Sequence, residues 1–358
     1  VGGLRRAEAG RGVGVRGVKF SMSSEFVEVL SRIADSNSLP IDFDSLFKPC
    51  SVEELVWRKL ELGKCIKNSD GTYSCEGDVD LSGLGLAKLP VKFGEVKGSF
   101  LCFNNNLTSL EGSPDKVYGS FDCSDNKLTS LGGAPKYVGG DFTCRENQLV
   151  SLEGAPEYVG GIFNCSSNRL KTLEGAPEYV GRNFVCSGNE LVSLLGAPRK
   201  VEADFVCESN KLKSLEGAPD YIGSNFYCAS NELTTLRGAP RYVGGSFDCS
   251  DNKLTSLEGA PSYTGGDFTC PYNQLISLEG APKYVGGDFT CRENQLTSLK
   301  GAPERVEGSF WCPDNKLTTL KGAPRYVGGN FWCSRDKLTS FEGAPEYIGG
   351  RFTCLRRF

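Results

Sequence analysis

From Cys102 to Cys354 a cysteine recurs every 21 residues, thirteen times, with no insertion or deletion. A fixed period of this length marks a solenoid, in which each unit buries its apolar face only by stacking on its neighbours. Phenylalanine stands two residues before every one of these cysteines, from Phe100 through Phe226 to Phe352. Alternate residues of an extended segment share a face, so each Phe-x-Cys pair predicts a short strand with its inward side fixed. Asparagine follows three residues after the cysteine, from Asn105 to Asn315, and leucines follow at five and eight, as in Asn147, Leu149 and Leu152.

Each unit then runs through Gly-Ala-Pro, as at Gly154, Ala155 and Pro156, and on through Tyr158, Val159 and Gly160. Glycine and proline at this density exclude a stable helix, so the return is expected to be extended or 3₁₀-like. The unit Phe-x-Cys-x-x-Asn-x-Leu-x-x-Leu resembles the leucine-rich repeat superfamily, with Phe and Cys at two of its leucine positions. It is most similar to the short bacterial type, in which a proline also precedes the strand. It also resembles uncharacterised repeat proteins of tailed phages and large viruses, which share the Gly-Ala-Pro, Gly-Gly-Asp-Phe and Asn-x-Leu-Thr-Ser-Leu elements. The resemblance covers residues 79–358. It implies a β-rich solenoid of right-handed coils with a parallel sheet on one face, and a role in recognition. A departure is the spacing of four residues from Val159 to Phe163, where the short type usually has three.

Stacked coils bring the cysteines into one column, which invites a metal-thiolate or disulfide reading. Structural thiols are the expectation, because a column flanked by phenylalanine has a low dielectric that raises thiol pKa. Parallel side-chain directions also oppose bridging between neighbours in the stack. Such thiols imply an intracellular reducing compartment, with a virion as the alternative that the viral resemblance suggests. The asparagines are expected to bond backbone groups of their own coil and the next. That pattern fails at Asp336 and Arg357.

Residues 1–21 hold five basic residues against Glu8 and are read as leader or non-native sequence, outside the fold. Residues 22–78 are expected to form an N-terminal cap on the solenoid of residues 79–358. A first helix is signalled by Ser23 and Ser24 ahead of Phe26, Leu30 and Ile33. The capping box Ser51 and Glu54, ahead of Leu55, Trp57, Leu60 and Leu62, signals a second. A hairpin is expected from Ile66 to Cys75 around Asp70-Gly71. In the first coil Val79, Leu81, Leu86 and Leu89 keep register, while Leu84 stands where asparagine belongs. The sequence stops halfway through a coil after Cys354, an edge open to edge-to-edge association with another copy.

Histidine is absent, which removes the commonest general base and metal ligand and all histidine-dependent triads. No apolar run is long enough for a membrane-spanning helix. The net charge of −4 and the lack of a basic stripe argue against nucleic acid. No cofactor is expected, and no enzyme. Candidate binding residues are those pointing away from the core. Trp311 and Trp332 occupy the position between Phe and Cys in consecutive coils, Tyr227 holds the same position earlier, and Tyr272, Asp314 and Arg335 stand in nearby turns. Arg145-Glu146 and Arg292-Glu293 read as solvated charge pairs. The expected function is a non-enzymatic scaffold binding a protein partner on the variable outward surface. The alternative is a carbohydrate-binding or adhesive module that stacks sugars on the exposed aromatics.

Overall fold

A computed structural model describes residues 51–334 and 336–354. The expected leader at 1–21, the helix signalled at Phe26, Leu30 and Ile33, and both Arg335 and Arg357 lie outside the described residues. Helix α1, Val52–Leu62, begins at the expected capping box. The Glu54 amide donates to Ser51 Oγ at 3.1 Å and the Ser51 amide to Glu54 Oε2 at 2.8 Å. Its buried face is narrower than its composition suggests: Val56 and Leu60 are enclosed, whereas Trp57 and Leu62 are exposed. One helical turn separates Val56 from Leu60, so these two alone meet the core.

Strands β1, Cys65–Lys67, and β2, Tyr73–Cys75, form the expected antiparallel hairpin. Gly71 supplies a positive φ of 87° at its turn. Cys65 and Cys75 face each other in register and are joined by a disulfide, which nothing in the 21-residue pattern signals. The hairpin then feeds into the stack, because β2 pairs in parallel with Phe93–Val96.

From here the chain winds as a two-sided β-solenoid. The expectation of one parallel sheet needs enlarging, since the described residues form two. The first, here the phenylalanine sheet, has fourteen parallel strands from Val79–Asp80 to Phe352–Thr353. The second, the tyrosine sheet, has fifteen, running from the hairpin to Tyr347–Ile348. Its repeating unit is the Tyr-Val dipeptide of the return, as in Tyr158–Val159, which pairs in register with Tyr137–Val138 and Tyr179–Val180. The return is extended as expected. It ladders because every coil has the same length, so its two free N–H and C=O groups meet those of the next coil.

The core lies between the sheets. Phe100 to Phe331 are fully buried in every coil and stack ring on ring at 5.2–5.5 Å. Valine or isoleucine enters from the tyrosine sheet, and two leucines per coil close the remaining side. Thr264 takes the place of one such valine. It is fully buried and its Oγ1 has no hydrogen-bond partner. Thr264→Val should therefore stabilise the protein by about 1–2 kcal/mol in denaturant unfolding, since it removes a buried unpaired hydroxyl at nearly constant volume.

Two polar ladders hold successive coils in register. In the asparagine ladder, Asn231 Nδ2 donates to the carbonyls of Cys207, Cys228 and Ala229 at 3.0–3.2 Å, and its Oδ1 accepts the Leu212 amide at 3.1 Å. The second ladder runs along the corner between the sheets, at the residue before most of the phenylalanines, and breaks at Ile162. There a short side chain accepts the amide of the equivalent residue one coil on: Asp204 Oδ1 takes the Asn225 amide, Asn225 Oδ1 that of Ser246, and Ser246 Oγ that of Asp267. Glycines precede this ladder because of the close stacking. A Cβ at Gly244 would run into the Gly223 carbonyl oxygen.

The cysteine column is structural along most of its length. Eleven thiols from Cys102 to Cys312 are free and fully buried. Burial pushes them well above the ordinary thiol range, as at Cys228, where the neighbouring cysteines add to the effect. Several also donate to a carbonyl of the next coil, such as Cys228 Sγ to Asp248 O at 3.2 Å. Cys333 and Cys354 end the column with their sulfur atoms in contact and their Cα atoms 4.7 Å apart. Cys354 is only half-buried, where the eleven cysteines before Cys333 are enclosed.

Candidate binding surface

With Phe and Cys directed inward, the residue between them points out from the phenylalanine sheet. This outward column changes character along the solenoid. It reads Val185, Val206, Tyr227, Asp248, Thr269 and Thr290 through the middle, and ends in Trp311 and Trp332. Trp311 and Trp332 are paired in register, stacked with ring centroids 5.4 Å apart and planes at 24°, and both half-buried. The mutual stacking covers one face of each indole, the surface a sugar ring needs, and turns the ring edges outward.

The other candidates are distributed rather than gathered. Tyr227 sits four coils before Trp311, about 19 Å away at the interstrand spacing. Tyr272 lies two coils before Trp311, in the turn after the strand, and Asp314 occupies the same turn position in the coil of Trp311. Both adopt left-handed backbone, with φ of 54° and 58°. Asp314 suits that conformation, as do the Asn, Asp, Ser and Gly that hold it in most other coils. A tyrosine there is strained, and with Glu146 and Glu293 it departs from that set. Its ring is 46% exposed and is covered by the Arg292 guanidinium at 5.0 Å. Arg292 is thus engaged by an aromatic ring as well as sitting beside Glu293, while Arg145 pairs with Glu146 as expected, at 2.9 Å. Arg335 lies outside the described residues.

Acidic groups surround Tyr227, a feature that residue-by-residue reading missed. Burial raises the Tyr227 phenol above its ordinary range, and Asp204, Asp248, Glu208 and Asp267 raise it further. Glu208 is likewise raised by burial and then by Asp248. The available signal was positional: these acids lie at a multiple of 21 residues from Tyr227 or two residues to either side of one, which places them within two coils of it. The outward face therefore combines an acidic, aromatic centre with a tryptophan pair nearer its end. Among the described residues no group of three or more His, Cys, Asp or Glu side chains could hold a metal ion, and no helix is long and apolar enough to cross a membrane.

No family model matches the chain, and no curated protein matches it. Solved structures do align with it. YopM, a leucine-rich effector protein from Yersinia pestis, aligns over 92% of this chain and 99% of its own, with a TM-score of 0.49 and 19% identity. YopM from Yersinia enterocolitica aligns over 93% and 100%, with a TM-score of 0.39 and 15% identity. The functional domain of InlJ from Listeria monocytogenes, described as including a cysteine ladder, aligns over 75% of this chain and 69% of its own, with a TM-score of 0.40 and 18% identity. The present chain has coils of 21 residues, an asparagine ladder and inward leucines at fixed positions.

Proposed function

We infer that this protein is a recognition scaffold that binds a protein partner on the outward face of the phenylalanine sheet, centred on the stretch from Tyr227 to Trp332. The observation that carries the reading is the contrast between the two sides of one strand. Inward positions repeat the same residue in coil after coil, whereas the outward column varies from valine through tyrosine and aspartate to two tryptophans. Folding requires only the inward set, so variation outward on a rigid sheet leaves that surface available for specific contact.

The chemistry of the face favours a partner with basic groups opposite Asp204, Glu208 and Asp248 and an apolar projection opposite the tryptophan edges. Stacking of the indoles on each other makes a protein contact a better fit than a sugar platform. The enclosed thiols accord with a reducing compartment and the Cys65–Cys75 disulfide with an oxidising one.

Affinity capture with the full chain, beside a Trp311→Ala, Trp332→Ala variant shown by circular dichroism to be folded, tests the reading. A specific protein retained by the first and lost, or weakened at least about tenfold, with the second is the expected result. Equal retention by both would remove the tryptophan pair from the site.

A further inference from the structure

The tyrosine sheet carries a second surface, unrelated to the proposed recognition face. Between Lys200 and Arg305 its outward column is an unbroken run of Tyr221, Tyr242, Tyr263 and Tyr284. The rings stack at 5.3, 5.3 and 5.7 Å, and three of them are 37–45% exposed. Ion pairs close the run at both ends. Lys200 Nζ lies 2.6 Å from Glu202 Oε1, and Arg305 Nε lies 2.6 Å from Glu307 Oε1. Beyond them the column returns to tyrosine, at Tyr179 and Tyr326. The order is therefore the same from either direction: ring, ion pair, four rings, ion pair, ring.

We propose that this stripe is a homodimer interface, in which two copies of the chain pack tyrosine sheet to tyrosine sheet with their solenoid axes antiparallel. The two-fold axis runs along the strands, midway between the coils of Tyr242 and Tyr263. An isologous contact needs a surface complementary to its own reverse, and the adjoining exposed column meets that condition. The residue before each tyrosine faces its counterpart across the axis, so Arg199 meets Glu304 of the second copy, Asp220 meets Lys283, and Glu178 meets Arg325. Symmetry doubles each of these pairs.

Other registers fail on charge or on packing. Centring the axis on Tyr263 sets Arg199 against Arg325, Asp220 against Glu304 and Arg241 against Lys283. Centring it between Tyr263 and Tyr284 places Arg305 on Tyr242 and breaks the match of rings to rings. In the proposed register Lys200 faces Arg305 of the second copy, each cation held beside its own glutamate, Glu202 and Glu307. Within one chain the charges of the adjoining column make only loose, solvated pairs, Arg241 with Asp220 at 3.9 Å and Lys283 with Glu304 at 4.0 Å, so they remain available to a second copy. The contact spans eight coils from Glu178 to Arg325, about 35 Å at the interstrand spacing, the scale of the smaller transient interfaces.

Sedimentation velocity of the full chain over about 1–500 µM tests the proposal. A monomer–dimer equilibrium is expected. Asp220→Lys or Lys283→Asp alone should weaken dimerisation about tenfold, and the double exchange should restore it to within about threefold of wild type. Both side chains are solvent-exposed, so an unchanged thermal unfolding midpoint separates lost association from lost fold. A wild-type chain that stays monomeric throughout, single variants that dimerise like wild type, or a double variant no better than the singles would each overturn the proposal.

Discussion

Phe226→Ala should destabilise the protein by about 3–5 kcal/mol and do so locally. The Phe226 ring is fully buried, stacked on Phe205 at 5.3 Å and Phe247 at 5.4 Å. Its removal leaves a cavity that the flanking rings cannot fill, because their own positions are fixed by the next coils. Each coil touches only its neighbours, so amides bridging these coils should exchange fastest: Phe226 to Ser246 O, Cys207 to Tyr227 O and Cys228 to Asp248 O. Hydrogen exchange read by mass spectrometry checks this. Acceleration confined to about two coils on either side of residue 226 is expected, with the coils around Phe121 unchanged. Uniform acceleration over the whole solenoid would show that the coils unfold as one unit.

The second large effect is expected at Asp336, the aspartate that breaks the asparagine ladder. Its Oδ1 accepts the Leu317 amide at 3.0 Å, as an asparagine would. Its Oδ2 is buried without a hydrogen-bond partner, in the place where an asparagine would present its NH₂ group. In the preceding coil Asn315 Nδ2 donates to Cys291, Cys312 and Pro313 carbonyls at 3.0–3.3 Å, and a carboxylate cannot donate to the equivalent set. Burial pushes the Asp336 carboxyl up to about 7; the Leu317 and Asn315 amides act against this and Asp314 adds to it.

The folded chain thus holds a proton here that the unfolded chain, with an ordinary aspartate near 3.9, releases earlier. Stability from this group is fully present below about pH 4 and is lost as pH rises through about 7, a change on the order of 4 kcal/mol. Asp336→Asn should abolish that part of the pH dependence and supply the missing donors. Local exchange of the coils from Phe310 to Phe352, compared between wild type and Asp336→Asn at pH 5 and pH 8, is the measurement. The variant should be more protected at pH 8 and nearly equal to wild type at pH 5. Equal protection of the two proteins at both values would count against a buried, proton-holding Asp336.

Much of this architecture is legible in the sequence because the period is invariant. Once Cys102 and Cys123 share a register, each Phe, Asn and Leu inherits a fixed direction, and the burial of Phe100 or Leu110 follows from spacing alone. The tyrosine sheet is harder to see. Its strands are two residues long and lie between proline and paired glycines, so Tyr158-Val159 reads as part of a turn until the neighbouring copies pair with it. The corner ladder is hidden for a related reason: Asp, Asn and Ser before the phenylalanines look like interchangeable polar residues, yet each supplies the one short acceptor the next coil requires.

The recognition surface is legible only in part. Adjacent tryptophans one period apart imply a contact, and Trp311 and Trp332 make it. Contacts one coil apart with a residue's offset do not stand out in the same way, which is why the Arg292–Tyr272 contact and the acids around Tyr227 emerge only when the coils are stacked. The Cys65–Cys75 bond lies outside the period altogether and follows from the hairpin register.

Hydroxyl-radical footprinting of the captured complex against the free chain tests the recognition reading most directly, because it reports side-chain exposure on both faces in one experiment. The account predicts that Trp311, Trp332 and Tyr227 lose oxidation on binding while Tyr158 and Tyr242, on the other sheet, keep theirs. Protection confined to the tyrosine sheet, or none at the tryptophans, would contradict it.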